Sequence, residues 1–134
     1  MHELSICQAL IDQVEQIARD NQAAQVLQIR IGIGPLSGVE PDLLEQAFYI
    51  ARAGSLAADA ELSIARLPIR VRCRHCDQVT DAQPANLVCG HCGNWQTRLV
   101  SGDEMLLSQV ELIGPSHVER VGEEAAPTAN SMLN

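Results

Sequence analysis

Two short stretches, CRHC at Cys73–Cys76 and CGHC at Cys89–Cys92, decide how this chain is read. Each C-x-x-C forms a turn that presents both sulfurs inward. The twelve residues between them are long enough for the second turn to fold back over the first and complete a tetrahedron of thiolates. Cys73, Cys76, Cys89 and Cys92 are therefore the expected ligands of one structural Zn(II). Gly90 and Gly93 stand where the second turn must bend sharply enough to aim backbone amides at sulfur. Sizeable apolar side chains are few between Arg70 and Ser101, and burying them does not offset the entropy of ordering the segment. A zinc thiolate centre contributes on the order of 10 to 16 kcal/mol, enough to matter.

Other chemistries fit these cysteines less well. CGHC alone has the form of a thioredoxin-type redox pair, but such pairs come singly at the start of a helix, and here two sit in a turn-rich ribbon. A rubredoxin-like iron site would use the same ligands with a longer arm and proline in the turn. His75 and His91, inside the turns, could bind a second metal, although histidines so placed more often face water. Arg66, Arg70, Arg72, Arg74 and Arg98 crowd the motif and offset the charge of minus two on a four-thiolate zinc centre.

Outward from the ribbon, the 134 residues carry a net charge of −8, no lysine, and one each of Trp, Tyr and Phe, so the core must be aliphatic. The acidic balance argues against a nucleic-acid partner, which needs clustered cations at phosphates. No apolar run is long enough to span a membrane and no secretory signal is recognisable. Four of five cysteines follow metal spacing rather than a disulfide pattern, which fits a reducing cytoplasm.

Leu4, Cys7, Leu10, Ile11, Val14, Ile17 and Ala18 predict a first helix over Glu3–Asp20, with Cys7 a small core residue and Asn21 the stop. Leu27, Ile29, Ile31 and Ile33 alternate as in a strand that ends at Pro35. Pro41 opens a second helix whose stripe is Leu43, Leu44, Ala47, Phe48 and Ala51, closed by Gly54. A further strand over Glu61–Arg72 changes phase, which a bulge or bend near Arg66–Pro68 would reconcile. A third covers Glu104–Ile113, with Leu106, Val110 and Leu112 on one side and Met105, Leu107, Gln109 and Glu111 on the other.

The expected fold is α+β, a small mixed three-stranded sheet with two helices on one face plus an inserted zinc ribbon. The strand–helix–strand connection predicts a right-handed parallel crossover. The strands before and after the ribbon are expected to pair, placing it at the tip of a long hairpin. The domains would be 1–69 with 102–114, the ribbon 70–101, and a mobile tail 115–134 rich in Glu, Ala, Pro, Ser and Thr. A hairpin-mounted insertion could exchange between chains, so a homodimer is compatible with this layout.

The opening MHELS ahead of an amphipathic helix, the paired cysteines at 73, 76, 89 and 92, and EMLL at Glu104–Leu107 together resemble the HypA/HybF family of hydrogenase nickel-incorporation proteins. The resemblance runs from Met1 to about Gly114. It implies nickel bound by the N-terminal end at Met1, His2 and Glu3, and zinc bound by the ribbon. It also implies delivery of nickel to the large subunit of nickel-iron hydrogenase with a GTPase partner, and hence a metallochaperone rather than an enzyme. A free α-amine, a deprotonated amide and the His2 imidazole can form fused chelate rings suited to square-planar Ni(II). Without the resemblance, a histidine at position two is an ordinary chain end, and the chain would be a zinc-ribbon protein–protein adaptor that binds no nickel. A hydrolytic zinc enzyme is disfavoured because four thiolates leave no position for water.

Overall fold

The computed structural model describes residues 2–114, 118–121 and 124–125, the last two segments as backbone. Helix α1 (His2–Asp20) buries Ile6, Cys7, Leu10, Ile11, Val14, Ile17 and Ala18. Its first turn departs from the expected stripe: Leu4 is 45% exposed and Glu3 is buried in its place. Leu4 instead borders a shallow apolar depression with Leu43 and Ile50 of the second helix, so the outer edge of the stripe meets solvent. The helix ends at Asp20, with Asn21 the expected stop. Gln22 takes the left-handed conformation (φ 57°), its amide donates to the Arg19 carbonyl, and the Ala23 amide reaches back to Ala18. This is the Schellman closure usually given to glycine.

The main sheet is built on β1 (Gln25–Ile33). Helix α2 (Pro41–Ala51) carries the chain across to β2 (Glu61–Arg66), which lies parallel to β1 as the crossover requires. α2 buries Leu44 and Phe48, while Leu43 of the expected stripe is half exposed. The other edge of β1 pairs antiparallel with β6 (Met105–Ile113), giving the order β2-β1-β6. The strands flanking the ribbon thus do not pair, contrary to the hairpin expected: β1 lies between them. The crossover puts β2 on one edge of β1, and the returning chain takes the edge left open, where the Gly34 amide donates to the Glu104 carbonyl. Beyond β6, β7 (Val118–Val121) and β8 (Glu124–Ala125) add antiparallel pairs along its far edge. Those six residues of the expected tail are therefore strands, because β6 would otherwise present an unpaired edge. The rest of that segment lies outside the described residues.

Two bulges account for side-chain phases that simple alternation misses. Register between β1 and β6 slips at Val26/Gln28 and at Arg30/Ile31, leaving Leu27 and Ser108 unpaired. The buried set consequently changes parity, to Val26 then Ile29, Ile31 and Ile33 in β1, and to Met105 and Leu107 then Val110 and Leu112 in β6. The expected grouping of Leu106 with Val110 and Leu112 is corrected for this reason. Gln28, Arg30, Gln109 and Glu111 occupy the opposite, wetter face, where Gln28 pairs with Glu111 and Arg30 with Gln109.

The predicted long strand over Glu61–Arg72 breaks at Leu67–Pro68 into β2 and β3 (Ile69–Cys73), which belong to different sheets. Its phase change marks that break, in keeping with the bend expected there and not with a bulge. β3 is the centre of a second sheet, between β4 (Val79–Ala82) and β5 (Thr97–Ser101). The two crossings between sheets pack on the end of β1. The Leu67 amide donates to Ile33, the Leu36 amide to Gly102, and Gly34 lies so close to the Gly102 backbone that a Cβ at 34 would overlap its carbonyl.

Candidate metal centres

β3 delivers Cys73 to the end of the second sheet, and the chain turns at once through Arg74 and His75 to Cys76. The Asp77 amide closes this turn on the Cys73 carbonyl at 3.0 Å. The second turn repeats the pattern, with the Gly93 amide on Cys89 at 2.9 Å. Asp77 (φ 63°) and Gly93 (φ 76°) hold the same left-handed position. Gly90 has a different task from the one expected. Its amide donates to Thr80 Oγ1 at 2.8 Å, and a Cβ there would press on the Thr80 side chain.

The four sulfurs converge. Cys73 Sγ lies 3.6 Å from Cys92 Sγ, Cys76 Sγ lies 3.6 Å from Cys89 Sγ, and all four are within 4.8 Å of one another. A regular tetrahedron with sulfur about 2.3 Å from a central ion has edges of about 3.8 Å, so the set fits a four-coordinate thiolate site. No two sulfurs are bonded to each other. The amides of His75 and Cys76 donate to Cys73 Sγ at 3.3 and 3.4 Å, and those of His91 and Cys92 to Cys89 Sγ at 3.3 and 3.4 Å. These donors favour thiolate. The Cys92 amide, helped by that of His91, brings the Cys89 thiol down to about 6, and the Cys76 amide lowers Cys73 in the same way. Cys76 goes up to about 12: an amide hydrogen bond from Gln78 favours its thiolate, but burial and the neighbouring sulfurs outweigh it. An ion held here would lock the two turns together and would leave no open position for water.

Cys7, the remaining cysteine, is apart from this cluster. It is fully buried in α1, its Sγ donates to the Leu44 carbonyl at 3.2 Å, and burial pushes its thiol up to about 12.

Of the expected N-terminal set, Met1 lies outside the described residues. His2 and Glu3 form the first turn of α1 and meet the loop before α2. His2 Nε2 is 2.8 Å from the Gly38 carbonyl and 3.1 Å from Glu3 Oε2. A carbonyl can only accept, so Nε2 donates to it, and Nδ1 is the ring nitrogen that this contact leaves unused. Glu3 Oε2 also accepts from the Glu40 amide at 3.4 Å. Burial alone would raise the Glu3 carboxyl, but hydrogen bonds, that of Glu40 among them, and adjacent His2 hold it below its ordinary value. Gly38 and Glu40 were not legible as partners of this turn, being 36 and 37 residues away in sequence.

A family model described as "Hydrogenase/urease nickel incorporation, metallochaperone, hypA" matches residues 1–112. The chain belongs to the HypA family. The match takes in His2, Glu3 and all four ribbon cysteines, and ends before the last 22 residues. Among similar proteins, the hydrogenase maturation factor HypA of Nitrosospira multiformis is 48% identical over 113 residues, covering 84% of this chain and 98% of that protein. The Aquifex aeolicus factor of the same name is 39% identical over 112 residues, covering 84% and 97%. The solution structure of the Ni metallochaperone HypA from Helicobacter pylori superposes with a TM-score of 0.64 at 31% identity, covering 85% of this chain and 99% of that one. HypA proteins are nickel-incorporation metallochaperones, not enzymes. No described helix is long and apolar enough to cross a membrane.

Proposed function

We propose that this HypA chain carries Ni(II) as cargo at its N-terminus through Met1, His2 and Glu3, and holds a structural Zn(II) at Cys73, Cys76, Cys89 and Cys92. It hands the nickel to the large subunit of nickel-iron hydrogenase together with a nickel-incorporation GTPase. The body, 1–69 with 102–114, does the carrying, and the ribbon, 70–101, is shaped by zinc. One observation supports the nickel assignment above others: the tie of His2 Nε2 to Gly38 orients the imidazole and engages that nitrogen, so that a metal replacing the proton of the ring would take Nδ1. Nδ1 is the nitrogen that closes a chelate ring with the chain's own amide and amine. Glu3, buried and anchored to the Glu40 amide, steadies the turn from behind the ligands.

The division of labour follows from exchange chemistry. A chain end gives up nickel ligand by ligand to an acceptor, whereas four thiolates closed around Zn(II) do not. Isothermal titration of untagged protein with Ni(II), alongside zinc analysis, tests this reading. One zinc per chain and one saturable nickel are expected. His2→Ala and a version with one residue added before Met1 should keep the zinc and the fold and lose the nickel. Full nickel affinity in either variant would overturn the N-terminal site, and zinc with no nickel in the native chain would leave a zinc-ribbon adaptor.

A further inference from the structure

The ribbon's charge is opposite to that of the rest of the molecule. Residues 70–101 hold four arginines against two aspartates, a net +2, while the remainder holds five arginines against fifteen carboxylates, a net −10. Within the ribbon the cations gather. Arg72, Arg74 and Arg98 line one concave surface of about 380 Å³ beside Cys73, with Asp77 its single carboxylate.

This arrangement is unfavourable in isolation. Arg72 in β3 stands directly opposite Arg98 in β5, and like charges facing each other across an antiparallel pair repel. Relief is slight: Arg72 touches Asp77 at 3.4 Å, whereas Arg74 and Arg98 are exposed and make no ion pair among the described residues. Nor do the guanidiniums hydrogen-bond the sulfurs among the described residues. The hydrogen bonds onto Cys73 and Cys89 come from backbone amides. Val79 faces Arg72 across β4 and is 38% exposed, so the row Val79, Arg72, Arg98 runs across the sheet as an apolar and cationic strip.

We infer that the Arg72, Arg74 and Arg98 surface of the ribbon docks an acidic segment of a partner protein, one that carries adjacent carboxylates beside an aliphatic side chain. Guanidinium forks match carboxylates two bonds at a time, and two or three carboxylates suffice to neutralise the three arginines. The aliphatic neighbour covers Val79. Nucleic acid is disfavoured, because a phosphate backbone of regular charge spacing runs on past the three arginines into the field of a remainder with a net charge of −10, whereas a short acidic segment ends at them. The inference is independent of where nickel binds.

The test uses full-length, zinc-loaded protein and three probes: a fluorescein-labelled peptide with three glutamates flanked by leucines, its glutamine counterpart, and a single-stranded oligonucleotide of equal length. The glutamate peptide should bind at low salt and weaken as salt rises, with NMR shifts of side-chain Nε–Hε signals confined to Arg72, Arg74 and Arg98. Arg74→Ala with Arg98→Ala should weaken it at least tenfold, with zinc content and thermal midpoint checked. Arg74→Lys with Arg98→Lys, which keeps the charge and the fold, should weaken it severalfold. Arg30→Ala, on the body, should change nothing. The inference is overturned if the glutamine peptide binds equally, if shifts fall elsewhere, if neither ribbon variant weakens binding, if the oligonucleotide binds more tightly, or if no probe binds.

Discussion

At the residue scale, the five cysteines divide into four that hydrogen-bonded turns bring together and one that the core conceals. Burial sets Cys7 near 12, so it is neither nucleophilic nor accessible. Iodoacetamide at neutral pH should leave native zinc-loaded protein largely unlabelled, label four thiols once the metal is chelated, and reach all five only in denaturant. Mass spectrometry reads the count, and labelling of Cys7 in the folded protein would contradict its placement. The ribbon thiolates also fix a pH dependence. Amide hydrogen bonds already lower Cys89 to about 6, and a bound metal lowers thiolates further. Groups whose folded values are depressed stabilise above their ordinary range and lose that effect as pH falls through the depressed value. Zinc should therefore be held at neutral pH and released on acidification with a midpoint below 6, as followed by a zinc-sensitive dye. A midpoint above 7 would contradict that ordering.

At the element scale, Gln22 occupies a left-handed position where an L side chain is strained. Gln22→Gly should stabilise the protein by about 0.5 to 1 kcal/mol in urea unfolding. Gly34→Ala should do the reverse by roughly 2 to 4 kcal/mol, since the added methyl meets Gly102 backbone that cannot rotate aside. Neither position stands out in the sequence. What did stand out was local: the stripes of α1 and α2, the alternation from Ile29 to Ile33, and the spacing of the four cysteines, which encodes the convergence of their sulfurs. What stayed hidden depends on contacts distant in sequence. The bulges at Leu27 and Ser108 are set by pairing between β1 and β6, and the break at Pro68 reflects a change of sheet. The partners of His2 and Glu3 are a carbonyl and an amide, which leave no trace in residue type.

At the scale of the whole molecule, two sheets rest on different sources of order. The main sheet and its helices share a continuous apolar core from Ile6 to Leu112, of which no ribbon residue is a member. The second sheet has buried Ile69, Val71, Cys73 and Cys89 and little else. Stripping the metal should abolish hydrogen-exchange protection across β3, β4 and β5 while amides of α1, β1 and β6 stay protected. Simultaneous loss in both regions would mean that the metal supports the entire chain.

The central place of β1 has a consequence for how the protein is made. Its antiparallel neighbour begins at Met105, and the outermost pair joins Gln25 to Ile113. A nascent polypeptide emerging from the ribosome therefore exposes the ribbon cysteines, ready to capture an ion, before the strand that completes the main core has been synthesised. Until then the oily sides of both helices have only two strands to cover them. Closure of so distant a pair is slow, and the interval is the window in which the newborn chain is most exposed to aggregation.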